Sequence, residues 1–569
     1  MQEKTVKNGG APHWNLDPIY AGFDSPRYLD DKKRLETGTA ELVRLAARGP
    51  EKGQNPGEWI ASFIMSMNKA GDLLENLMSY AYTKFTTCTT DGQALKELAA
   101  MEEMAIPMKD AEVAFRNALA ELGKTAADLA ALRPDLASYR FFLEEELFLQ
   151  KKQMTPAEEN LAADLTRCGG DAWGRMQEAV SAILQADWDT TTGERKTVTQ
   201  LRALAFDRDR AVRRKAYRLE LEAWKTAETP LSYALNGVKG FSVILNKRRN
   251  FKSTLERSTI QARLTPKALE SMIGAMEEFL PAFRGYLKTK AKILGIPVCA
   301  FYDLFAPVGK NPRQWDFAEA RDFIVEQFGG FSAELANFAS TAFNNGWIDA
   351  EPREGKVGGA YCISFPINEE SRILCNFGGA FGDVSTIAHE LGHGYHHEVL
   401  KKESAIHRNY PMTLAETASI FCESVILHGA LKRMGTEERI TALESFLQDA
   451  TQVIVDILSR YYFENELCDR REKSELSPDE LSDMMIKAQK ATYGDALDPD
   501  QLHKYMWAVK SHYYRTDLAF YNFPYAFGQL FGLGLFSRFQ TEGASFVPKY
   551  NALLRETGRA NAADLAKTA

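Results

Sequence analysis

Four of the nine histidines lie close together, at positions 389, 393, 396 and 397. The first two frame the pentapeptide His389-Glu390-Leu391-Gly392-His393, inside a pattern typical of a helix. Because residues four apart share one face of a helix, His389 and His393 can present both imidazoles to a single metal ion. Glu390 is rotated to one side of that face, where its carboxylate could take a proton from a metal-activated water. The spacing predicts a zinc site with its own general base.

A pentapeptide of this kind also arises by chance in long chains, and many histidines on helices are ordinary polar groups. Two features favour the metal site: the motif follows a strand-like segment ending in Gly378-Gly379, and it lies in a helix. His396 and His397 are a different case, because a catalytic zinc keeps one coordination position open for water. We expect these two histidines to have surface or supporting roles.

A third protein ligand is expected on the next helix, which begins near Leu414. Glu416, Ser419 and Glu423 follow at spacings of three and four and form one stripe. Thr413 and Glu416 also match a capping box, and Glu423 could lie on a solvated face. Neither a capping box nor a solvated face explains why apolar residues flank the stripe. Carboxylates next to an apolar, buried surface need a charged or polar partner. We predict Glu416 as the third zinc ligand and Glu423 as the carboxylate that orients a zinc-binding histidine.

The elements that must position these residues are mainly helices. Apolar residues recur at helical spacing in four long segments, 59–122, 156–185, 198–245 and 266–294. Residues 358–366 and 372–379 have the composition of strands and are joined by the polar residues 368–371. Helix returns near residue 384 and dominates to the end. The sequence predicts a mostly α fold with a small antiparallel β element beside the metal-binding helix.

A polar, turn-rich stretch at 187–195 separates two helical blocks. We place a boundary there and predict two lobes, an N-terminal helical lobe of residues 1–190 and a catalytic lobe of residues 191–569 that carries the metal motif. No internal repeat or low-complexity segment is visible.

The composition argues against several classes of function. The chain has 569 residues, of which 45% are hydrophobic and 26% charged, as is usual for a globular protein. Its 69 basic and 77 acidic residues give a net charge of −8, which argues against a nucleic-acid or anionic-membrane partner. Because no run of about 18 apolar residues occurs, we expect no membrane span. Seven widely spaced cysteines without a CxxC pair predict reduced thiols, and the first ten residues contain no apolar leader, so we expect a cytoplasmic protein.

Several motifs point to one known family. HELGH is followed, 23 residues after its second histidine, by the glutamate of E-x-x-S-x-x-x-E. Other segments agree with the same family, namely 14–20, 359–362, 383–389, 492–495 and 520–528. Together these motifs resemble the oligoendopeptidase F branch of the thimet oligopeptidase family of zinc metallopeptidases. The similarity runs over most of the chain and is strongest in its C-terminal part.

This resemblance implies a large two-lobed helical peptidase with a deep central channel, covered by the N-terminal lobe. It implies one zinc ion per chain, bound by His389, His393 and Glu416, with Glu390 as the general base. It also implies that the substrates are short unstructured peptides.

The oxyanion formed during peptide hydrolysis needs a further hydrogen-bond donor. The resemblance implies that Tyr521 and Tyr525 supply it and that His512 lies nearby. The stretch between His512 and Tyr521 is longer than the family pattern leads us to expect. An aromatic run of this kind can also simply fill a core.

Gly378 and Gly379 are candidate substrate-binding residues. Glycines at this point would let a substrate backbone approach the preceding strand and add to it as a further strand. A simple turn before the helix explains them equally well.

We therefore expect a zinc-dependent oligoendopeptidase that hydrolyses internal bonds of short peptides. One alternative is a zinc exopeptidase, such as a dipeptidyl carboxypeptidase on a related helical fold. Another, of a different class, is a catalytically silent peptide-binding protein, although Glu390 and all three candidate ligands are present. Two histidines and a glutamate also accept manganese or cobalt, and nothing in the sequence specifies an oligomeric state.

Overall fold

A computed structural model of the chain describes residues 10–51, 53, 55–309 and 313–568. Residues 1–9, where we predict no secretory leader, lie outside the described residues. Most of the described chain is helical and the sheets are small, which confirms the mostly α prediction.

The α-helices of the described residues, numbered along the chain, are α1 Pro26–Arg48, α2 Pro56–Thr87, α3 Gly92–Glu121, α4 Ala126–Ala130, α5 Arg140–Gln150, α6 Pro156–Leu165, α7 Asp171–Ile183, α8 Val198–Ala203, α9 Arg210–Arg248, α10 Thr254–Gln261, α11 Pro266–Ile293, α12 Phe317–Gly329, α13 Ala333–Asn344, α14 Phe381–Leu400, α15 Ala405–Arg408, α16 Met412–Arg433, α17 Thr436–Thr451, α18 Ile457–Arg471, α19 Pro478–Tyr493, α20 Met506–Val509, α21 Phe523–Glu542, α22 Val547–Arg555 and α23 Ala562–Thr568. The strands are β1 Gln185–Asp189, β2 Glu194–Thr197, β3 Ile348–Asp349, β4 Tyr361–Phe365 and β5 Glu370–Leu374.

These elements form two compact units, each built from segments that are separate in sequence. Unit 1 comprises Met1–Lys151, Pro312–Met434 and Gly528–Ala569, and unit 2 comprises Lys152–Asn311 and Gly435–Phe527. The predicted division at 190/191 falls at none of these borders. There, β1 and β2 pair as an antiparallel hairpin that spans the predicted division, so the turn-rich stretch is a hairpin within unit 2.

Unit 1 has two hydrophobic cores. One lies among α1, α2 and α3, where the rings of Phe63 and Phe115 stack with their centroids 3.9 Å apart. The other surrounds α14 and α16, in which Val384, Leu391 and Phe421 are fully buried. The helix that carries the histidine motif is therefore a core helix of this unit.

A three-stranded sheet of order β3-β5-β4 packs beside α14. Strands β4 and β5 are antiparallel, as the sequence predicts, and Phe365 lies opposite Glu370. Strand β5 begins two residues earlier and ends five residues earlier than the predicted segment 372–379. Strand β3 joins β5 in parallel, which was not predicted, because two residues carry no pattern that identifies a strand. At the start of α14, the Asp383 carboxylate accepts hydrogen bonds from the backbone N–H groups of Gly378 and Ala380.

Helix α16 begins earlier than a capping box at Thr413 would require. Its N-cap is Pro411, so Thr413 and Glu416 both lie inside the helix and the capping-box explanation of Glu416 does not hold. Among the described residues, α16 alone is long and apolar enough to cross a membrane by length and composition. Most of that apolar stretch is buried within unit 1, as expected for a core helix.

Unit 2 is organised around α9, which packs against α7, α8, α18 and α19. Asp209 caps the start of α9 by accepting the Ala211 N–H. Trp224 is almost fully buried in this unit. About four turns further along α9, the buried Lys239 ammonium lies 2.6 Å from the Glu464 carboxylate of α18.

Candidate metal centre

The metal centre predicted from the sequence depends on how closely α14 approaches α16. Gly392 lies between the two histidines of the motif, and a Cβ atom there would come within 2.6 Å of the Ala418 carbonyl oxygen and of the Ser419 Cα. Real Cβ atoms do not approach so closely, so only glycine allows this crossing. The helix backbones therefore touch at Ala418 and Ser419, two to three residues after Glu416.

This crossing brings His389, His393 and Glu416 together, as predicted. The Nε2 atoms of the two histidines are 3.2 Å apart, and Glu416 Oε2 lies 3.2 Å from His389 Nε2 and 3.5 Å from His393 Nε2. Two ligands of a tetrahedral zinc ion at ordinary bond lengths are about 3.3 Å apart. The donor set and its spacing therefore fit a zinc ion, and they form one candidate metal cluster of the described residues.

Two further side chains contact these three. His389 donates its Nδ1 proton to the Glu423 carboxylate. Ser419 donates its hydroxyl to Glu416 Oε2 over 2.9 Å. Glu423 thus contacts a candidate zinc-binding histidine, and its orienting role stays a prediction. The sequence indicated Ser419 only as part of the same stripe.

The charges of the centre shift its pKa values strongly. Burial alone would lower the pKa of His389, but hydrogen bonds to Glu416 and Glu423 raise it well above its ordinary value. Burial and the neighbouring His389 lower the pKa of His393 to about 4. Burial would raise the pKa of Glu416, but His389, His393 and Ser419 lower it to about 2. The His389 imidazole and the Glu416 carboxylate therefore each favour the charged form of the other.

Glu390 follows His389 on α14 and is only 5% exposed. Burial raises the pKa of its carboxyl to about 7, and the carboxylates of Glu416 and Glu423 contribute to the rise, while His389 opposes it. Glu390 contributes no atom to the candidate metal cluster of the described residues, and its role as the general base stays a prediction.

His396 and His397 differ in burial, since His396 is buried and His397 is half-buried. His396 is fully buried, lies 2.9 Å from the Thr557 hydroxyl through Nε2, and stacks on Tyr410 with ring centroids 4.3 Å apart. His397 Nδ1 lies 3.2 Å from the Ser371 hydroxyl. The sequence left surface and supporting roles open for both histidines. The burial of His396 excludes a surface position for that residue, and neither histidine contributes an atom to the metal cluster.

Tyr521, Tyr525 and His512 belong to unit 2, where they lie together despite the long stretch between them. The Tyr525 hydroxyl donates to the Tyr521 hydroxyl over 2.5 Å, and the rings of His512 and Tyr521 are 6.2 Å apart. Burial lowers the pKa of His512 to about 2, helped by the cationic Arg460 and Lys510. Tyr521, Tyr525 and His512 therefore form one cluster of side chains. Their catalytic role stays a prediction.

Gly378 and Gly379 have local roles in unit 1. The Gly378 N–H is donated to Asp383, and the Gly379 carbonyl accepts the Trp315 N–H. Gly379 has φ +89°, and a Cβ there would lie 2.9 Å from the Trp315 carbonyl. The turn explanation therefore has a structural basis, while substrate binding by these glycines stays a prediction.

The fold is mostly helical, and the HExxH motif and a downstream glutamate meet at one centre. This combination is typical of the class of metallopeptidase-like proteins. Residues 331–568 match the sequence model of Peptidase family M3, and residues 120–185 match that of Oligopeptidase F. The chain is therefore similar in sequence to peptidase family M3, and in particular to its oligoendopeptidase F branch.

Individual relatives are distant. Oligopeptidase PepF of Bacillus subtilis (strain 168) is 22% identical over 434 residues, which cover 74% of this chain and 64% of that protein. The aligned part of the chain thus spans somewhat less than two thirds of that relative's length. A crystal structure of a protein from Chlamydophila abortus has a TM-score of 0.80 at 22% identity, covering 98% of this chain and 93% of that one. Oligoendopeptidase-F from Enterococcus faecium has a TM-score of 0.67 at 17% identity, covering 95% and 93% of the two chains. At these identities the solved structures establish the fold.

Proposed function

We propose that this chain is a zinc-dependent oligoendopeptidase that hydrolyses internal bonds of short unstructured peptides. The observation that carries the proposal is the mutual approach, within 3.5 Å, of one ligand atom each from His389, His393 and Glu416. Two histidines and one glutamate are the ligand set of zinc peptidases that keep a coordination position open for chemistry. The match of residues 331–568 to the model of Peptidase family M3 supports a peptidase.

The proposed chemistry assigns a role to each side chain. When bound, zinc would polarise the scissile carbonyl and acidify a water molecule. Glu390 accepts the proton of the attacking water as the new C–O bond forms. The same carboxyl then gives that proton to the leaving amine as the C–N bond breaks, so the base is regenerated. Tyr521 and Tyr525 donate hydrogen bonds to the oxyanion, and His512 supports them.

Metal dependence is tested first. Elemental analysis of the purified chain should find one zinc per chain, and a chelator should abolish peptide hydrolysis. Zinc should restore it, with manganese and cobalt as comparison ions. A His389→Ala variant that keeps stoichiometric zinc and full activity would refute this assignment.

Endopeptidase and exopeptidase activity are separated by blocking the substrate ends. The same peptide is supplied free, and with an acetylated N-terminus and amidated C-terminus, and the products are mapped by mass spectrometry. We expect both forms to be cut at the same internal bonds. Cleavage of the free form alone identifies an exopeptidase, and binding without cleavage of either form identifies a silent peptide-binding protein.

The preference for short peptides is tested with one protein in two states. A stable folded domain and its tryptic digest are incubated separately with the enzyme. Because an extended substrate requires local unfolding of a folded domain, and the unfolded population is small, we expect only the digest to be cut. Comparable cleavage of the intact domain would rule out the enclosed channel that the family resemblance implies.

A further inference from the structure

Helix α21 contacts α16 at backbone distance at two successive turns, and glycine occupies both contact points. A Cβ at Gly528 would lie 2.6 Å from the Cβ and 3.3 Å from the Cγ of Glu416. A Cβ at Gly532 would lie 2.9 Å from the Cβ of Ile420. Both glycines lie inside α21, and both partners lie inside α16.

Glycine inside a helix is unfavourable by about 1 kcal/mol relative to alanine. We therefore expect close packing to account for each glycine. The residue that each glycine packs against is different. At Gly532 the neighbour is Ile420, an apolar and half-buried residue. At Gly528 the neighbour is the stem of Glu416, whose carboxylate belongs to the candidate metal centre. The stem atoms cannot move aside as the far end of a flexible side chain could.

The carboxylate end of Glu416 is held as well. Ser419 is fully buried and donates its hydroxyl to Glu416 Oε2 over 2.9 Å. That oxygen is the one that lies 3.2 Å from His389 Nε2 and 3.5 Å from His393 Nε2. The same side chain is therefore restricted at its stem by Gly528 and at its head by Ser419.

We propose that Gly528 and Ser419 are positioning residues that hold Glu416 in its metal-binding conformation, an inference that rests on the proposed zinc function. A glutamate has three rotatable side-chain bonds, and restricting them before the metal arrives lowers the entropic cost of binding. Groups that orient metal ligands typically change metal affinity by 10–100-fold when removed.

Two matched pairs of variants test the proposal. Gly528→Ala is compared with Gly532→Ala, since each adds one methyl group to the same interface one helical turn apart. Ser419→Ala is compared with Ser424→Ala, because Ser424 is also buried on α16 and donates its hydroxyl to the Ile420 carbonyl over 2.8 Å. The measurements are zinc affinity by chelator competition, the visible spectrum of the cobalt-loaded protein, and Tm of the metal-free protein.

We expect both glycine variants to lower the Tm of the metal-free protein to a similar extent. Gly528→Ala and Ser419→Ala should weaken zinc affinity by roughly tenfold or more and change the cobalt spectrum. Gly532→Ala and Ser424→Ala should leave affinity and spectrum near those of the wild type. Activity is not used to decide, because α21 also carries Tyr525.

The proposal is overturned if the two members of each pair bind zinc with the same affinity, whether that affinity equals the wild-type value or is weakened equally in both. If Gly528→Ala does not fold, the serine pair alone decides, since removing a hydroxyl introduces no steric conflict. A wild-type chain that binds no zinc would instead reject the proposed function, so the two failures are distinguishable.

Discussion

His389 donates its Nδ1 proton to Glu423, which stands on α16 seven residues after Glu416. A carboxylate can only accept, so this bond places the proton on Nδ1. It leaves Nε2 facing Glu416 and His393. One helix therefore supplies both the proposed third ligand and the group that selects the metal-binding nitrogen of the first ligand.

Replacing Glu423 by glutamine should weaken zinc binding by roughly 10–100-fold, because the amide no longer accepts strongly from Nδ1 and no longer fixes the ring. The measurement is zinc affinity by chelator competition. Glu437→Gln, at an exposed position on α17, serves as the control. Unchanged affinity in Glu423→Gln would show that the observed hydrogen bond does not tune the site.

Within each helix, the grouping of the candidate residues follows from local geometry, whereas the joining of Glu416 with the two histidines rests on the apolar setting of its stripe and on the family resemblance. His389 and His393 share a face at a spacing of four, and Glu416 and Glu423 share one at a spacing of seven. Such relations hold in any regular helix, whatever surrounds it. The strands β4 and β5 are likewise predictable, because they are neighbours in sequence and carry strand composition.

What the sequence does not predict are relations between distant segments. Gly392 and Gly528 look like ordinary helix glycines until the structure shows which helix each one touches. The residues next to His396 in the sequence do not distinguish it from a surface histidine. In the structure it is buried, and it contacts Thr557 and Tyr410, which both lie outside α14. The chain also passes between the two units four times, and no local signal marks those passages.

Glu390→Gln should retain zinc and the fold but lower kcat by a factor of about 10²–10⁴ or more. The amide keeps the size of the side chain but cannot accept a proton from water. Metal content, Tm and steady-state kinetics are measured on one preparation. Near-normal turnover with bound zinc would exclude Glu390 as the base.

Tyr521→Phe and Tyr525→Phe should lower kcat more than they raise KM. A donor that bonds only the developing oxyanion stabilises the transition state selectively, by about 2–4 kcal/mol. Tyr233→Phe is the control, since that ring is 60% exposed on α9. Because the two hydroxyls are bonded to each other, the double variant is also informative. If kcat is unchanged in all three variants, the tyrosines serve only in packing.

The buried ion pair of unit 2 predicts a marked effect on stability. Lys239 and Glu464 are 1% and 0% exposed, and Asn522 also donates to Glu464 over 3.3 Å. Lys239→Met leaves a buried, unpaired carboxylate and should cost about 3–5 kcal/mol. The double variant Lys239→Met/Glu464→Leu should cost less than the two single changes together.

Denaturant unfolding measures these changes. Breaking the exposed pair of Arg218 and Glu222, which are 70% and 62% exposed, should cost under about 0.5 kcal/mol. A buried-pair variant as mild as this control would contradict the prediction.

Glu220 predicts an acid-dependent contribution to the stability of unit 2. Its Oε1 atom accepts from Arg202 over 2.9 Å and from Trp224 over 3.1 Å, and it lies 3.1 Å from His503 Nε2. Burial alone would raise the pKa of Glu220, but His503 and Arg202 lower it from 4.5 to about 2. The folded state therefore binds fewer protons than the unfolded state between these two values.

The sign of the effect follows from that difference. Stabilisation by the ionised Glu220 is fully present above pH 4.5 and is lost as the pH falls towards 2. Its full size is about 3 kcal/mol. The Tm difference between wild type and Glu220→Gln should be large at pH 7 and clearly smaller at pH 3.5. Glu222→Gln, at an exposed position on the same helix, should show a small difference at both pH values. A Glu220→Gln difference that stays constant between the two pH values would mean that Glu220 has the same pKa in the folded and unfolded states, and that its hydrogen bonds stabilise the fold without linkage to protons.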